Sequence, residues 1–359
     1  MDRARRNRLL VLAVGLVAVV VVAVALRFLL RPDPRLLLPE ARGLVDEAAG
    51  LDAGSGRTDR ASKAERLLRR YLDRSQEEVS QATLLLACAL ILKQSDLASP
   101  PWKTEMEIRG LLGRIDVRRC DTEDLIRGAS ILFEGGHLRE AAAFAEAALR
   151  RGDHREEALR VASEICLEQG AGMAALELCR EWAKLVPDDP RPLEIMGAIH
   201  EARSETDQLI KIDRRLLDLK PDNATEIRHR LVDNLVATGE AAEAREQYDL
   251  LRAEGTLGVR LEVTEAGLLY LEGDFEGASQ RVRQVLEADA ENHRALKLRG
   301  KIQLGQLRTS EAIETFRRLV EFDPTDYESH YLLGQAYSQN GDIEQAQRHL
   351  QIHRKILGL

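Results

Sequence analysis

The sequence predicts an all-α chain: an α-solenoid of antiparallel helix pairs preceded by one N-terminal transmembrane helix. Three observations carry this reading. The first is a 34-residue period in the C-terminal two-thirds, marked by Ala141, Ala175, Ala244, Ala278, Ala312 and Ala346, with one double step of 69 in which Leu209 holds the missing place. The second is that two further columns keep the same register: small residues at Ala129, Ser163, Gly197, Ala266, Gly300 and Gly334, with Val232 the exception, and turn residues at Gly136, Gly170, Ser204, Gly239, Gly273 and Gly341. A fixed period of this length means stacked helical hairpins, not a single globular core. The third is an uncharged run, Leu9 to Leu26, flanked by Arg8 and Arg27.

Taken in order, residues 1–8 form a basic tail and residues 9–30 a membrane anchor. At 1.5 Å per residue the uncharged run spans roughly 27 Å, and roughly 33 Å if it continues through Phe28, Leu29 and Leu30 with Arg27 reaching back to the interface. A cleaved signal peptide is the rival reading, since Ala23-Val24-Ala25 resembles a small-x-small cleavage site. The run exceeds the ~7–15 residues of a signal core, which favours a retained anchor. Four arginines precede the span and three come closely after it, which tilts the N-terminus toward the cytoplasm. The expected location is a single-pass protein of a bacterial inner membrane, with the repeats on the periplasmic side. Residues 31–39, with Pro32, Pro34 and Pro39, read as a stiff linker. Residues 40–121 read as two degenerate hairpins that cap the array: Glu40 to Leu51 with Ser62 to Arg74, and Glu78 to Lys93 with Lys103 to Ile115. Ala64, Leu68 and Tyr71 suit a second-helix face there, but no strict step ties them to the seven units of the array.

Residues 122–359 hold those seven tandem units, starting at Thr122, Glu156, Pro190, Thr225, Val259, His293 and Tyr327, with one extra residue near Asp222-Asn223-Ala224. The last unit is the clearest. Leu333, Gly334 and Tyr337 share one face of a first helix, Asn340-Gly341-Asp342 breaks it, and Ala346, Leu350 and His353 share one face of a second. Gly334 and Ala346 are small where the two helices approach most closely. Pro187, Pro221 and Pro324 end second helices, where a missing N–H stops one hairpin before the next.

Leu333-Gly334, Tyr337, Gly341-Asp342, Ala346 and Leu350 resemble the tetratricopeptide repeat (TPR) pattern. In the preceding unit Gly300, Ala312, Phe316, Leu319 and Pro324 carry it, while Gln303 and Leu307 depart from the usual tyrosine and glycine. The resemblance covers Thr122 to Leu359. It implies a TPR superhelix whose first helices line a concave groove for a protein or peptide partner. The lysine, asparagine and arginine clamp of chaperone-binding TPR proteins is not reproduced, so chaperone C-termini are not the implied ligand.

Aromatics make up 4% and charged residues 31%, the balance expected of short amphipathic helices that each bury one stripe. The formal charge of −8 divides into +5 for residues 1–35 and −13 for the rest. An acidic array lacks the continuous basic face that nucleic acid requires. No catalytic constellation, cofactor motif or P-loop is present, and the chain reads as a scaffold, not an enzyme. Cys88, Cys120, Cys166 and Cys179 form no Cys-x-x-Cys pair; Cys166 and Cys179 sit on the two helices of one hairpin, in core columns, and read as buried apolar residues in preference to a disulfide. His349 and His353 stand at i, i+4 but lack a third ligand, so no metal is assigned. Asn223-Ala224-Thr225 matches a glycosylation sequon and reads as an inter-repeat turn and helix cap. Inward-facing rows change sign along the array: Glu123, Glu157, Glu164, Glu194, Glu201, Glu226 and Asp233 stand against Arg160 and Arg191 in the first four units. The next two units hold Arg260, Arg294, Lys297 and Lys301 with no acid. With Tyr270 and Tyr331 beside them, these four predict a basic, aromatic-lined pocket for an acidic or C-terminal peptide segment. The competing reading is solvated charges in local i, i+4 pairs. A second function class is a structural subunit that joins an envelope-associated assembly through array edges, and a third is a cleaved, exported TPR protein acting as a soluble adaptor. The chain stops at Leu359 without an extra solvating helix, and Ile356, Leu357 and Leu359 predict self-association or partner contact at that edge.

Overall fold

Stretches of 11 to 16 residues, most of them amphipathic and separated by Gly, Asp and Pro breaks, fold as consecutive antiparallel helices, and no strand occurs among the described residues. The structure, a computed structural model, describes residues 34–52, 56–75, 77, 79–95, 97, 101–255 and 258–357. The basic tail and the anchor expected over residues 9–30 lie outside the described residues. Among those described, no helix is long and apolar enough to cross a membrane.

The chain divides into two units, the first running to Val186 and the second from Pro187. The first contains α1 (Pro34–Ala49), α2 (Arg57–Leu72), α3 (Val79–Gln94), α4 (Trp102–Leu112), a 3₁₀ turn (Val117–Arg119), α5 (Thr122–Glu134), α6 (Leu138–Arg151), α7 (Arg155–Glu168) and α8 (Gly172–Leu185). Each helix packs on the next from α1 to α4 and from α5 to α8, and α1, α3, α5 and α7 also pack in sequence as one row. The stack therefore extends back through the stretch of poor period. A linker over residues 31–39 does not hold for its described part, because α1 begins at Pro34 and buries Leu37 and Leu38. Pro34 opens the helix, where a missing N–H costs nothing, and Pro39 comes within two turns while the chain continues helical.

Helix α3 lies between α1, α2, α4 and α5, and every residue from Ser80 to Leu92 is buried. A helix enclosed on all sides has no polar face, which is why its sequence shows no amphipathic stripe. One polar cluster crosses this row. The fully buried Asp124 accepts from Arg42 Nη2 at 2.8 Å and also from Gln81 and Arg127, and Arg127 Nη2 reaches Asp46 at 3.1 Å. Burial raises the Asp124 pKa, with Gln81, Arg42 and Arg127 opposing the shift.

The second unit contains α9 (Arg191–Ala202), α10 (Thr206–Asp218), α11 (Ala224–Thr238), α12 (Ala241–Ala253), α13 (Val259–Leu271), α14 (Phe275–Ala288), α15 (His293–Gly305), α16 (Thr309–Phe322), α17 (Tyr327–Gln339) and α18 (Ile343–Ile356). Consecutive helices pack together, and α11, α13, α15 and α17 form a row of first helices. The periodic columns have separate physical causes. The alanine column is the closest helix contact: Ala244, Ala278 and Ala312 have no exposed surface, and Leu209 occupies the same place at 4% exposure. In the small column, a Cβ on Gly300 would lie 2.4 Å from the Phe316 ring and one on Gly334 2.9 Å from Leu350.

The third column is the left-handed corner of each hairpin, with φ of 85° at Gly239, 84° at Gly273 and 85° at Gly341. Leu307 takes the same conformation, φ 59°, where glycine is usual. Its N–H still reaches Leu304 O at 3.0 Å and Arg308 N–H reaches Gln303 O at 2.8 Å, so the corner closes despite the side chain. In the unit with Leu209, the fully buried Asp213 is held by Arg230 across α10 and α11, through Nε at 3.1 Å. The sequon residue Asn223 stands at the α11 N-cap position, but its side chain makes no capping bond there.

Candidate functional site

A cavity of about 590 Å³ opens on the first-helix row of the second unit. It is set by close backbone approach: a Cβ on Gly267 of α13 would lie 2.8 Å from Val236 Cγ1 of α11, so glycine there lets the two helices meet. Val236, Val263, Tyr270 and Leu298 give the cavity apolar walls, and Arg294, Lys297, Lys301, Asp233 and Glu328 line its charged side.

The four cations expected to form a basic pocket are all engaged by carboxylates. Arg260 Nη1 contacts Glu226 at 2.8 Å and its Nη2 contacts Asp233 at 3.1 Å; Arg294 Nη2 meets Asp233 at 2.6 Å. Lys297 Nζ lies 2.8 Å from both Asp326 and Glu328, and Lys301 Nζ lies 3.1 Å from Glu328. The rim is therefore charge-balanced, which corrects the expectation of a basic patch. Neither are these local i, i+4 pairs: Arg260, Lys297 and Lys301 reach carboxylates of a neighbouring hairpin, and Arg294 reaches past one hairpin to Asp233. The physical reason is the stacking step itself, which sets Glu328, in the seventh unit, beside two lysines of the sixth. Burial works against the charge on Glu328, but hydrogen bonds from Lys297 and the charge of Lys301 outweigh it and hold its carboxyl below the usual range. Burial likewise opposes the Lys297 charge, and Asp326 and Glu328 outweigh it and raise its pKa.

Of the expected site residues, Arg294, Lys297, Lys301 and Tyr270 meet at this cavity. Arg260 sits beside it as the bridge between Glu226 and Asp233. Tyr331 is elsewhere: its hydroxyl accepts from Gln335 Nε2 at 2.8 Å and its ring stands 5.3 Å from His353. The sequence reading missed Asn234, whose Nδ2 is buried at the cavity with no hydrogen-bond partner. It also missed Thr264, which donates to Asp233 Oδ1 at 2.9 Å. A buried amide without a partner costs about 1–3 kcal/mol unless a ligand or water satisfies it. Asn234 was legible only as a polar residue one turn before the Gly239 corner, a signal too common to single it out.

The remaining candidates resolve differently. His349 stacks between His330 and Tyr337, with Nδ1 3.0 Å from His330 Nδ1. His353, expected in a core column, is only half-buried and donates from Nδ1 to Tyr327 O at 2.8 Å. Among the described residues no group of three or more His, Cys, Asp or Glu is placed to hold a metal ion. All four cysteines are free thiols, and Cys166 is half-buried, not buried. Burial pushes the Cys88 and Cys120 thiols up to about 12 and the Cys179 thiol to about 11, so these three are protonated at neutral pH.

Family models described as tetratricopeptide repeat match residues 127–190 and 264–327 in one case and 315–348 in the other. The chain therefore carries tetratricopeptide repeats, a fold that generally serves as a protein-interaction scaffold. No curated protein sequence matches it. Among solved structures, a tetratricopeptide repeat protein from Parabacteroides merdae ATCC 43184 aligns with a TM-score of 0.54 and 15% identity, covering 66% of this chain and 93% of that one. The similarity is one of fold. Two others align at lower scores: YrrB, described as a TPR protein with an unusual peptide-binding site (TM-score 0.30, 16% identity, 50% of this chain, 91% of that one), and a MamA fragment from Desulfovibrio magneticus RS-1 (TM-score 0.27, 21% identity, 56% and 94%).

Proposed function

We propose that this chain is a membrane-anchored, non-catalytic scaffold whose second unit holds a peptide segment of a protein partner on its first-helix row. One observation carries the reading: Asn234, whose buried Nδ2 has no partner, lines an apolar-walled cavity whose charged rim is already neutralised. Such a surface suits an extended backbone better than an acidic tail. Asn234 Nδ2 donates to a peptide carbonyl, while Val236, Val263 and Leu298 cover side chains beside it. Tyr270, whose hydroxyl has no partner among the described residues, supplies a second polar contact at the lip. Lys297 and Lys301 take part by holding Glu328 and the α15–α17 joint, so their charge reversal would perturb the stack as well as the site.

The test is a photo-crosslinking side chain at exposed Ala237 on the cavity lip, compared with the same group at exposed Gln280 on α14. Capture should be confined to Ala237, and Asn234→Ala should lower its yield. Equal capture from both positions, or an unchanged yield in Asn234→Ala, would refute the groove. The anchor and the periplasmic placement rest on the sequence of residues 1–30. A protease added to spheroplasts should digest the repeats and leave a membrane-bound stub. Protected repeats would reverse the orientation, and a mature N-terminus at Leu26 would remove the anchor.

A second reading, self-association through the C-terminal edge, is favoured by α18, which leaves Ile343, Ile356 and Leu357 exposed. A concentration-independent monomer that Leu357→Glu leaves unaltered would exclude it.

A further inference from the structure

A second cavity, of about 400 Å³, lies between α14, α15 and the start of α16, on the side of α15 that faces the second helices. It occurs where the repeat breaks its own rule. One step of 34 residues relates Arg283 to Arg317, Arg299 to Leu333 and Gln303 to Tyr337. In the last hairpin pair, Leu333 and Tyr337 are 1% and 5% exposed, and the Tyr337 hydroxyl accepts from Arg317 Nε at 2.8 Å, so the space is filled and the arginine is engaged. One repeat earlier the leucine is an exposed arginine and the tyrosine a shorter glutamine, and the space stands open.

The chemistry left in that space is that of an anion site with an apolar back. Arg283 and Arg299 line it and have no ion pair or hydrogen bond among the described residues. Gln303 is 4% exposed; its Oε1 accepts from Thr315 Oγ1 at 2.9 Å, which leaves Nε2 without a partner on the cavity wall. Arg308 is already held by Glu311, its Nε at 2.8 Å, so those two charges cancel, and Glu287 is the one other acid on the lining. Val282, Leu286 and Ile302 form the back. Core positions that turn polar in one repeat while their neighbours stay apolar mark function more readily than stability.

We propose that this cavity binds the C-terminal residue of a partner polypeptide. The carboxylate is taken by Arg283, Arg299 and Gln303 Nε2, and an apolar or aromatic side chain occupies the space that Tyr337 fills in the next repeat. A chain terminus is the occupant because a single residue must supply both a carboxylate and a ring-sized apolar group within about 400 Å³. The site is separate from the Asn234 cavity and does not depend on it.

The full chain in detergent micelles is titrated against a fluorescein-labelled Gly-Ser-Gly-Ser-Phe peptide with a free carboxylate, and against its C-terminal amide, by fluorescence anisotropy. The acid should bind about tenfold or more tighter than the amide. Gln303→Tyr, which restores the filled repeat, and Arg299→Leu should each weaken the acid by a similar factor. Asn234→Ala and the exposed-arginine control Arg139→Leu should leave it unchanged. Equal affinity for acid and amide, undiminished binding in folded Gln303→Tyr or Arg299→Leu, or no binding at roughly 1 mM peptide would overturn the proposal. Displacement of the peptide by equimolar inorganic phosphate would overturn it too, because the apolar side chain would then contribute nothing. An amidated peptide carrying an internal glutamate that binds as well as the acid would exclude the chain terminus as the occupant.

Discussion

The two units use the same hairpin but join copies of it differently. In the first, a single apolar cluster runs without interruption from Leu37 on α1 to Ile165 on α7, with α3 buried at its centre. In the second, the described apolar residues fall into smaller clusters that share only half-buried residues such as Leu217 and Leu286. Ion pairs between hairpins bridge them, among them Arg245 with Glu272, Arg260 with Glu226 and Lys297 with Glu328. Identical local geometry therefore does not fix cooperativity. What differs is whether the apolar contact beneath the ion pairs continues from hairpin to hairpin, as it does in the first unit around the Asp124 cluster, or breaks into small islands, as in the second.

The largest effect should come from the middle of the first unit. Leu85→Ala removes a fully buried side chain of α3 and should cost about 2–5 kcal/mol, with hydrogen-exchange protection falling across α1 to α7 together. Loss confined to α3 and α4 would mean that the continuous cluster is not one cooperative block. The second unit should respond locally. Gly300→Val pushes against the buried Phe316 ring and should cost about 1–3 kcal/mol, with protection lost in α15 and α16 and retained in α11 and α12. Loss throughout the unit would erase the contrast.

A smaller and opposite effect is expected at the α15–α16 corner. Leu307 is 81% exposed at φ 59°, so Leu307→Gly should raise stability by about 1 kcal/mol in urea unfolding. A decrease would show that the left-handed leucine makes a favourable contact. The mildest test concerns pH. Because Glu328 titrates below its unfolded value of about 4.3, its contribution is present above that pH and lost as pH falls through the lower folded value. Glu328→Gln should therefore lower the urea midpoint at pH 6, and the deficit should shrink as pH falls below the unfolded value and through the lower folded one. Asp124 in the first unit has the opposite sign: its raised pKa makes protonation favour the folded state as pH falls. A pH-independent deficit in Glu328→Gln would deny the α15–α17 joint its charge character.

Most of the fold was legible because repetition amplifies weak signals. No single alanine predicts a helix contact, but the column through Ala244, Ala278 and Ala312 does, and the structure buries all three. Helices α1 to α4 were legible only as separate segments, because enclosure on every side removes from α3 the stripe that periodicity detects. Proline misled at residues 34–39, where it opens a helix in place of a linker. At the candidate site the charges were placed on the right row, but their partners were not: Lys297 and Glu328 are 31 residues apart and meet only through stacking. Asn234 and the open cavity beside Gln303 depend on which space stays unfilled, which residue types alone do not encode. Even so, the departures at Gln303 and Leu307 from the repeat pattern marked the place.

The division of the second unit into small apolar islands has a mechanical consequence. Under tension along the chain, such a stack should give way one hairpin at a time at low force and recover in the same small steps. The hydrocarbon-continuous first unit should resist until it ruptures as a whole. Pulled at its two ends, the chain would then lengthen through its second unit while its first stays folded.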